Sequence, residues 1–345
     1  MTSALHRWSP SIARLWQRGR SQRQIVFVVQ RGRLEREAIL LVASALANGR
    51  VRPDELVACH PEPGPGWPDD PRPGPATLGY LAERGVATRS FVNADFGARY
   101  PHSNKMYALA KCAAPSALFL DTDTFFVRPI ARRLSARAFY LRRGGQTFPN
   151  RETGHSAEAI WTALYDKFGA TPVAPARRGR NALPGQFPYY NAGAIGAPDP
   201  AGFGRTFLDT ALAIERDPPP ELAGQKLFPW LDQIALPIAI ARVGGTVRRF
   251  DDGINRSGTG KGVALWHYHY LPRLVFEGGP AFGKAVTRVL ADPAVREALA
   301  GDPMFALWTG TEGRRRYNAV AGDAPLAGRQ LVRALKDSAG REILR

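Results

Sequence analysis

Two aspartates, Asp121 and Asp123, are the residues of this sequence whose type and spacing most directly suggest chemistry. They follow an apolar stretch at 117–120 (Ala-Leu-Phe-Leu), and Thr-Phe-Phe-Val comes next. A buried strand would fix their backbone, and a turn after it would let both carboxylates face one cation at the edge of a sheet. Carboxylate oxygens suit Mg²⁺ or Mn²⁺, which can also hold a diphosphate. A solvated turn would not need apolar residues on both sides, so we predict a metal site here.

The segments around this pair predict an α/β protein. Residues 24–30 and 55–59 are short apolar runs typical of buried strands, and residues 33–48 carry apolar side chains at helical spacing. A strand, a helix and a strand in this order open a parallel α/β sheet. The alternation continues with a helix predicted at 104–113 and a strand at 117–120. The second half is less regular, with helices predicted at 156–168, 200–216 and 228–241 and strands at 189–196, 246–250 and 263–268.

The composition excludes several classes of protein. With 345 residues, 44% hydrophobic and 22% charged, the chain has the balance of an ordinary globular protein rather than a disordered one. No run of 18 apolar residues occurs, so no transmembrane helix is predicted. Cys59 and Cys112 are too few for a disulfide framework or a four-cysteine zinc site. Two reduced cysteines suit a cytoplasmic protein.

The net charge of +17 predicts partners that carry negative charge. Candidates are a nucleotide diphosphate, an anionic phospholipid surface and an acidic glycan. Nucleic acid is disfavoured because the basic residues, 40 of 47 of them arginine, are spread along the chain and no zinc, helix-turn-helix or RNA-binding motif occurs. We therefore expect a cytoplasmic protein, with peripheral contact to an anionic membrane as an open alternative.

Several short motifs resemble glycosyltransferases of the GT-A fold, and in particular family 8 with its glycogenin-like members. The first two are 104–109 (Asn-Lys-Met-Tyr-Ala-Leu) and 117–130, which contains the two aspartates. Three more follow in the order that the family uses: Tyr-Asn-Ala-Gly at 190–193, Leu-Asp-Gln at 231–233 and Trp-His at 266–267. The resemblance covers roughly residues 25–275.

This resemblance implies both a fold and a reaction. The fold would be a GT-A-like mixed α/β sheet flanked by helices, as in nucleotide-diphospho-sugar transferases, with a helical C-terminal extension. The reaction would be the metal-dependent transfer of a hexose from a nucleotide diphosphate sugar, a UDP-sugar in this family, to a glycan or lipid-linked acceptor, with the anomeric configuration retained. The chain would divide into a basic N-terminal tail (1–23), the catalytic domain (24–280) and a basic helical extension (281–345).

The resemblance also implies a set of metal ligands. Mn²⁺, or Mg²⁺, would be held by Asp121, Asp123 and His267, since Mn²⁺ accepts mixed oxygen and imidazole coordination. In an extended strand His269 would face the same side as His267, so spacing leaves open which histidine is the ligand. The family has glycine three places and lysine six places after its histidine, whereas this chain has Tyr270 and Arg273.

Six further residues are expected at the donor. An arginine can still clamp a phosphate with two hydrogen bonds, so Arg273 keeps the role of the family's lysine. The diphosphate would be assisted by Lys105, Thr122 and Arg273, and the sugar would be held by Asn191, Asp232 and Gln233, with Gln233 beside the anomeric carbon.

Two hypotheses from other classes stay open. The strand followed by Asp-x-Asp-x-Thr also fits haloacid-dehalogenase phosphatases, in which Asp121 would be the nucleophile and Asp123 the general acid and base around Mg²⁺. Asp251 and Asp252 would then supply the later acidic pair. That motif ends the first strand of its domain, however, and here two or three predicted strands precede it. The other hypothesis is a non-catalytic protein that binds a polyanion, which leaves the order of the motifs unexplained.

Overall fold

A seven-stranded mixed sheet forms the centre of the protein. The computed structural model describes residues 23–130, 137–145, 148–173, 187–258, 262–269, 271–277, 280–311 and 313–315. The predicted N-terminal tail lies outside these residues except for Arg23, and so do Tyr270 and residues 316–345 of the predicted extension. The helices and strands below belong to the described ranges.

Nine strands form two sheets within the described ranges. In chain order they are β1 (Arg23–Val28), β2 (Leu56–Pro61), β3 (Ala87–Phe91), β4 (Ser116–Leu120), β5 (Thr124–Phe126), β6 (Phe139–Arg143), β7 (Tyr190–Pro198), β8 (Val247–Arg249) and β9 (Leu265–His267). The large sheet has the order β3-β2-β1-β4-β7-β6-β8, and β5 pairs with β9 in a small second sheet. β7 runs antiparallel to both β4 and β6, whereas β3, β2, β1 and β4 are parallel.

Helices cover the large sheet on both faces, as the buried strands require. They are α1 (Arg33–Ala47), α2 (Pro75–Glu83), α3 (Asn104–Ala110), α4 (Ala157–Asp166), α5 (Pro200–Arg216), α6 (Leu231–Arg242), α7 (Leu271–Phe276), α8 (Pro280–Leu290), α9 (Pro293–Leu299) and α10 (Pro303–Thr309). Among them, no helix is long and apolar enough to span a membrane.

Alternate residues of the central strands pack into two separate hydrophobic clusters, one on each face. Ile25 and Phe27 of β1 belong to the cluster that contains α1 and the C-terminal helices. Val26 and Val28 belong to the cluster that contains residues of α3, α5 and α6. Because side chains alternate along a strand, β1 and β4 separate these two layers. The predicted α/β sheet flanked by helices, with helices near the C-terminus, is therefore confirmed.

The C-terminal helices pack against α1 through polar as well as apolar contacts. Asn48, which ends α1, donates a hydrogen bond from Nδ2 to the Ala285 carbonyl at 3.2 Å. Arg36 of α1 forms an ion pair with Asp302 at 2.9 Å, and Arg84 forms one with Asp292 at 2.9 Å. These contacts join α8, α9 and α10 to the same layer that supports the two aspartates.

Candidate active site

The Asp121–Asp123 turn lies where the large sheet passes into the small one. The Asp121 N–H donates to the Gly193 carbonyl at 2.8 Å, which continues the pairing of β4 with β7 for one more residue. The Thr124 hydroxyl donates to the Asp121 carbonyl at 2.8 Å and closes the turn. Thr124 then pairs with His267 in the register of β5 and β9. The pairing of β5 with β9 thus brings a histidine that is distant in sequence beside the two aspartates.

Asp123, His267 and His269 form a compact group of possible metal ligands. One ligand atom from each lies within 4.8 Å of the others. Asp123 Oδ1 is 3.1 Å from His267 Nε2, and the two imidazole rings are 4.0 Å apart between centroids. His269 lies beyond the end of β9 and has a φ of 65°, so it is not extended as the sequence spacing assumed. The turn nevertheless places both histidines beside Asp123, and we call these three residues the ligand cluster.

A chain of hydrogen bonds holds the His267 imidazole in place. Its Nδ1 lies 2.9 Å from Asn255 Oδ1, and Asn255 Nδ2 donates to Asn191 Oδ1 at 2.9 Å. The same Asn191 oxygen accepts the Gly193 N–H at 2.8 Å. Partners of this kind orient a histidine ligand and set its tautomer. Asn191, predicted to bind sugar, here contacts the residues that position His267.

Gly193 provides the space that the imidazole occupies. A Cβ atom at this position would lie 2.5 Å from His267 Cε1 and 2.9 Å from Nδ1. No side chain larger than hydrogen fits there while the ring stays in place. The glycine of the Tyr-Asn-Ala-Gly motif is therefore explained by close packing within a continuous strand, 190–198.

Lys105, Asp121 and Asp232 form a second ionic group on the other side of the turn. The Lys105 ammonium lies 2.6 Å from Asp232 Oδ2, 3.3 Å from Asp121 Oδ1 and 3.2 Å from the Ala192 carbonyl. An ammonium group has three N–H donors, and these three contacts give each donor an acceptor. Lys105 and Asp232 are 4% and 3% exposed, which places the pair inside the protein. We call these three residues the lysine cluster.

Asp232 has further partners within the protein. Its backbone N–H donates to the Tyr100 hydroxyl at 2.8 Å, and that hydroxyl lies 3.0 Å from Asp232 Oδ1. The Gln233 N–H also donates to Oδ1, at 2.9 Å. Gln233 itself is half-buried. The structure thus brings the predicted residues Lys105 and Asp121 together with Asp232, which lies at the start of α6.

The charges of the two groups follow from burial and neighbours. Burial lowers the pKa of Lys105, but Asp121 and Asp232 outweigh it and raise that pKa above its usual value. Burial raises the pKa of Asp232, and the Lys105 charge more than reverses this, so its carboxylate stays ionised. Lys105 and Asp232 therefore keep their charges near neutral pH.

In the ligand cluster, burial and neighbouring charges shift the pKa values of the three side chains in different directions. Burial raises the pKa of Asp123, but the charge of His267 outweighs it and holds the pKa well below the usual range. Burial lowers the pKa of His267, and Asp123 reverses the direction, so this pKa is raised. Burial, followed by the neighbouring charge of His267, lowers the pKa of His269 to about 3. His269 is therefore a neutral imidazole with a lone pair for a cation.

Thr122 and Arg273 were both predicted to assist the diphosphate, and the structure gives them different surroundings. The Thr122 side chain is buried, and its Oγ1 is 3.5 Å from Glu37 Oε2 on α1. Arg273 of α7 contacts Glu277 Oε2 and the Ser257 carbonyl, each at 2.6 Å. The Ser257 hydroxyl lies 3.0 Å from His269 Nε2. Arg273 therefore lies one residue away from the ligand cluster, whereas Thr122 faces the protein interior.

Sequence reasoning missed Asn255, Ser257 and Glu37. Asn255 adopts a φ of 54°, and asparagine tolerates that conformation better than most residues, but no motif marks it. Glu37 lies on the first turns of a helix, where an acidic residue is common and gives no signal of its own. Burial raises the pKa of its carboxyl to about 7 despite the neighbouring Arg33, at 2.7 Å.

The class of protein that emerges is a glycosyltransferase, because residues 25–244 match a family model for such enzymes. More particularly, the chain belongs to the family described as the Rhodobacterales glycosyltransferase domain. This membership agrees with the predicted glycosyltransferase and disfavours the phosphatase and the non-catalytic protein, but it does not identify family 8. The family match ends before His267, His269 and Arg273.

Among solved structures, the chain is similar to the apo structure of the bifunctional glycosyltransferase WbbM. The identity is 11% and the TM-score 0.45, and the match covers 80% of this chain and 51% of that chain. The protein thus spans about half the length of that relative. No curated protein matches the sequence.

Proposed function

We propose that this protein is a metal-dependent glycosyltransferase that moves a hexose from a nucleotide diphosphate sugar to a glycan or lipid-linked acceptor. The observation that carries the proposal is the ligand cluster of Asp123, His267 and His269, within 4.8 Å, in a chain of a glycosyltransferase family. The uridine diphosphate form of the donor and retention of configuration come from the resemblance of the motifs to family 8.

The donor set fits Mn²⁺ better than Mg²⁺. One carboxylate and two imidazoles make a mixed oxygen and nitrogen set, whereas Mg²⁺ prefers oxygen ligands only. Asp123, His267 and His269 would hold the ion, with Asp121 as the further carboxylate that the Asp-x-Asp motif predicts. When bound, the ion would neutralise charge on the departing diphosphate as a Lewis acid.

The residues of the chain would position the reactants. The Lys105 ammonium contacts the carboxylates of Asp121 and Asp232. These contacts would hold both carboxylates in place beside the donor. The Asn191–Asn255 pair fixes the orientation of His267. Arg273 lies beside Ser257, which contacts His269, and its guanidinium would contact a phosphate of the donor. Asn191, Asp232 and Gln233 would line the sugar side, and such preorganised contacts lower the barrier by positioning and electrostatics.

Isothermal titration of the full chain with UDP, with and without Mn²⁺, tests the proposal. We expect micromolar binding with Mn²⁺ that is lost on adding EDTA and in Asp123→Ala. The exposed Asp209 on α5 offers a matched control, and Asp209→Ala should bind as the wild type does. Absence of binding to UDP, GDP and other nucleoside diphosphates would overturn the proposal and direct the next test to a phosphorylated Asp121.

We also propose a cytoplasmic location with peripheral contact to anionic membranes, supported by the net charge of +17. Vesicle co-sedimentation tests the contact. The protein should sediment with vesicles that contain anionic lipid and less with neutral ones, and equal sedimentation would remove the membrane contact.

A further inference from the structure

Three arginines lie on the sheet beside the candidate active site. Arg142 is in β6, Arg249 ends β8 and Arg256 lies in the segment before β9. Arg142 pairs with Asn191 in the register of β6 and β7. Residues that pair directly across two strands have side chains on the same face of the sheet. Arg142 therefore lies on the face where Asn191 reaches toward His267.

A single segment, residues 252–257, joins these arginines to the ligand cluster. On one side Arg142 Nη1 approaches the carbonyl oxygens of Asp252 and Ile254, at 3.4 and 3.3 Å. On the other side the His267 N–H donates to the Arg256 carbonyl at 2.8 Å. Asn255, between them, bonds both Asn191 and His267. Arg142 thus lies on the far side of the Asn191–Asn255 pair from the ligand cluster, and Arg256 follows Asn255 directly in the same segment.

The positive charge of this group is not balanced within the described ranges. Arg249 pairs with Asp252 at 2.8 Å, but neither Arg142 nor Arg256 forms an ion pair among the described residues. Burial, followed by the positive charges of Arg256 and Arg249, lowers the pKa of Arg142, and Asp252 only partly opposes this. Two of the three guanidinium charges are therefore in excess, and an anion bound beside Arg142 and Arg256 would offset their repulsion.

We propose that Arg142 and Arg256 form a subsite for a phosphoryl group carried by the acceptor. A phosphate monoester carries a charge of about −1.5 to −2 at pH 7, which matches the excess of two positive charges. Guanidinium groups bind phosphate oxygens through paired hydrogen bonds. The inference rests on the proposed function, because it assigns the acceptor side of the same active site. A phosphorylated sugar and a lipid phosphate share this chemistry.

Two phosphate probes test the subsite in the full chain, with UDP and Mn²⁺ present in excess to fill the donor side. The probes are glucose 6-phosphate, by titration calorimetry, and phosphatidylcholine vesicles with and without phosphatidic acid, by co-sedimentation. We expect the wild type to bind at least one of them, and Arg142→Gln/Arg256→Gln to bind it about tenfold or more weakly. Glucose without phosphate should bind far more weakly than glucose 6-phosphate. Binding of the sugar phosphate indicates a soluble acceptor, and binding only of the vesicles indicates a lipid one.

Arg205 and Arg296 provide a control with the same change in charge. Both are exposed, on α5 and α9, and Arg205→Gln/Arg296→Gln should bind the probe as the wild type does. Equal weakening in both double variants, or a wild type that binds neither probe, would overturn the subsite. Two single-site variants, Arg142→Lys and Arg256→Gln, check that weaker binding is not caused by misfolding. The first variant keeps the positive charge, and the second leaves β6 unchanged.

The UDP titration separates this inference from the proposed function. If the wild type binds UDP but no phosphate probe, the subsite is wrong and the transferase stands. If the wild type binds no nucleoside diphosphate, the proposed function fails first. In that case, phosphate binding that still depends on Arg142 and Arg256 would support the subsite alone.

Discussion

The two ionic groups on either side of the Asp121–Asp123 turn differ in how far the protein itself satisfies them. In the lysine cluster, every donor of Lys105 has a protein acceptor, and Asp232 is bonded on both carboxylate oxygens. In the ligand cluster, His269 is a neutral imidazole, and Asp123 pairs with His267 and raises the pKa of that imidazole. Protein partners thus satisfy the first group, whereas in the second group a cation would compete with protons for the imidazole nitrogens and the carboxylate, as our proposal requires.

The largest expected effect comes from opening the lysine cluster. Lys105→Met removes the partner of the buried Asp232 and leaves an uncompensated charge, which costs about 3–5 kcal/mol of the free energy of unfolding. Urea unfolding measures this. Lys167→Met is the matched control, because Lys167 pairs at 2.5 Å with an Asp217 whose side chain is 86% exposed, and it should cost about 1 kcal/mol or less. Equal losses would contradict the distinction between the two pairs.

Removing a carboxylate from the ligand cluster should affect binding more than stability. Asp123→Asn keeps the shape of the side chain but removes its negative charge, and we expect Mn²⁺ affinity to fall by about a hundredfold or more, since even outer partners of metal ligands are worth 10–100-fold. Electron paramagnetic resonance of free Mn²⁺ measures this directly. Asp252→Asn is the control, and unchanged affinity in Asp123→Asn would remove Asp123 from the set of ligands.

Filling the space beside His267 should disturb the same cluster through packing. In Gly193→Ala the new Cβ would lie 2.5 Å from His267 Cε1, so the ring or the strand must move. We expect about 1–3 kcal/mol less stability, as for other overpacked sites, together with weaker Mn²⁺ binding. Gly79→Ala is the control, because nothing lies within 4 Å of its Cβ position in α2, and it should stabilise by about 0.5–1 kcal/mol. If the midpoints of thermal unfolding of both variants shift in the same direction, Gly193 is not held by contact with the His267 ring.

The smallest effect is expected from the residue that orients His267. Asn255→Gly keeps the positive φ available and removes the amide that contacts the Nδ1 atom. We expect Mn²⁺ affinity to fall by about tenfold, the lower end for outer partners of a metal ligand. Manganese titration of Ser257→Gly, in which the contact to His269 is lost instead, would compare the two histidines. A larger loss in the serine variant would make His269 the more important ligand.

The local pattern determined the elements on which this site is built. Three apolar runs predicted strands, and the structure has β1, β2 and β4 at these runs, which are 24–30, 55–59 and 117–120. A strand that is apolar on both faces is buried between two layers of helices, and this is where the three strands lie. The spacing of Asp121 and Asp123 after a buried strand placed the turn at the correct end of the sheet. These features depend on neighbours in sequence, and a sequence shows them directly.

Only the tertiary structure decided which residues meet at that turn. The pairing of β5 with β9 carries His267 across more than 140 positions of sequence to Thr124, and the positive φ of His269 returns its ring to the same place. The burial of Lys105 between Asp121 and Asp232, the support of His267 by Asn255, and the position of Arg142 opposite Asn191 also depend on the register between distant strands. Register is set by packing of the whole core, and no short motif encodes it.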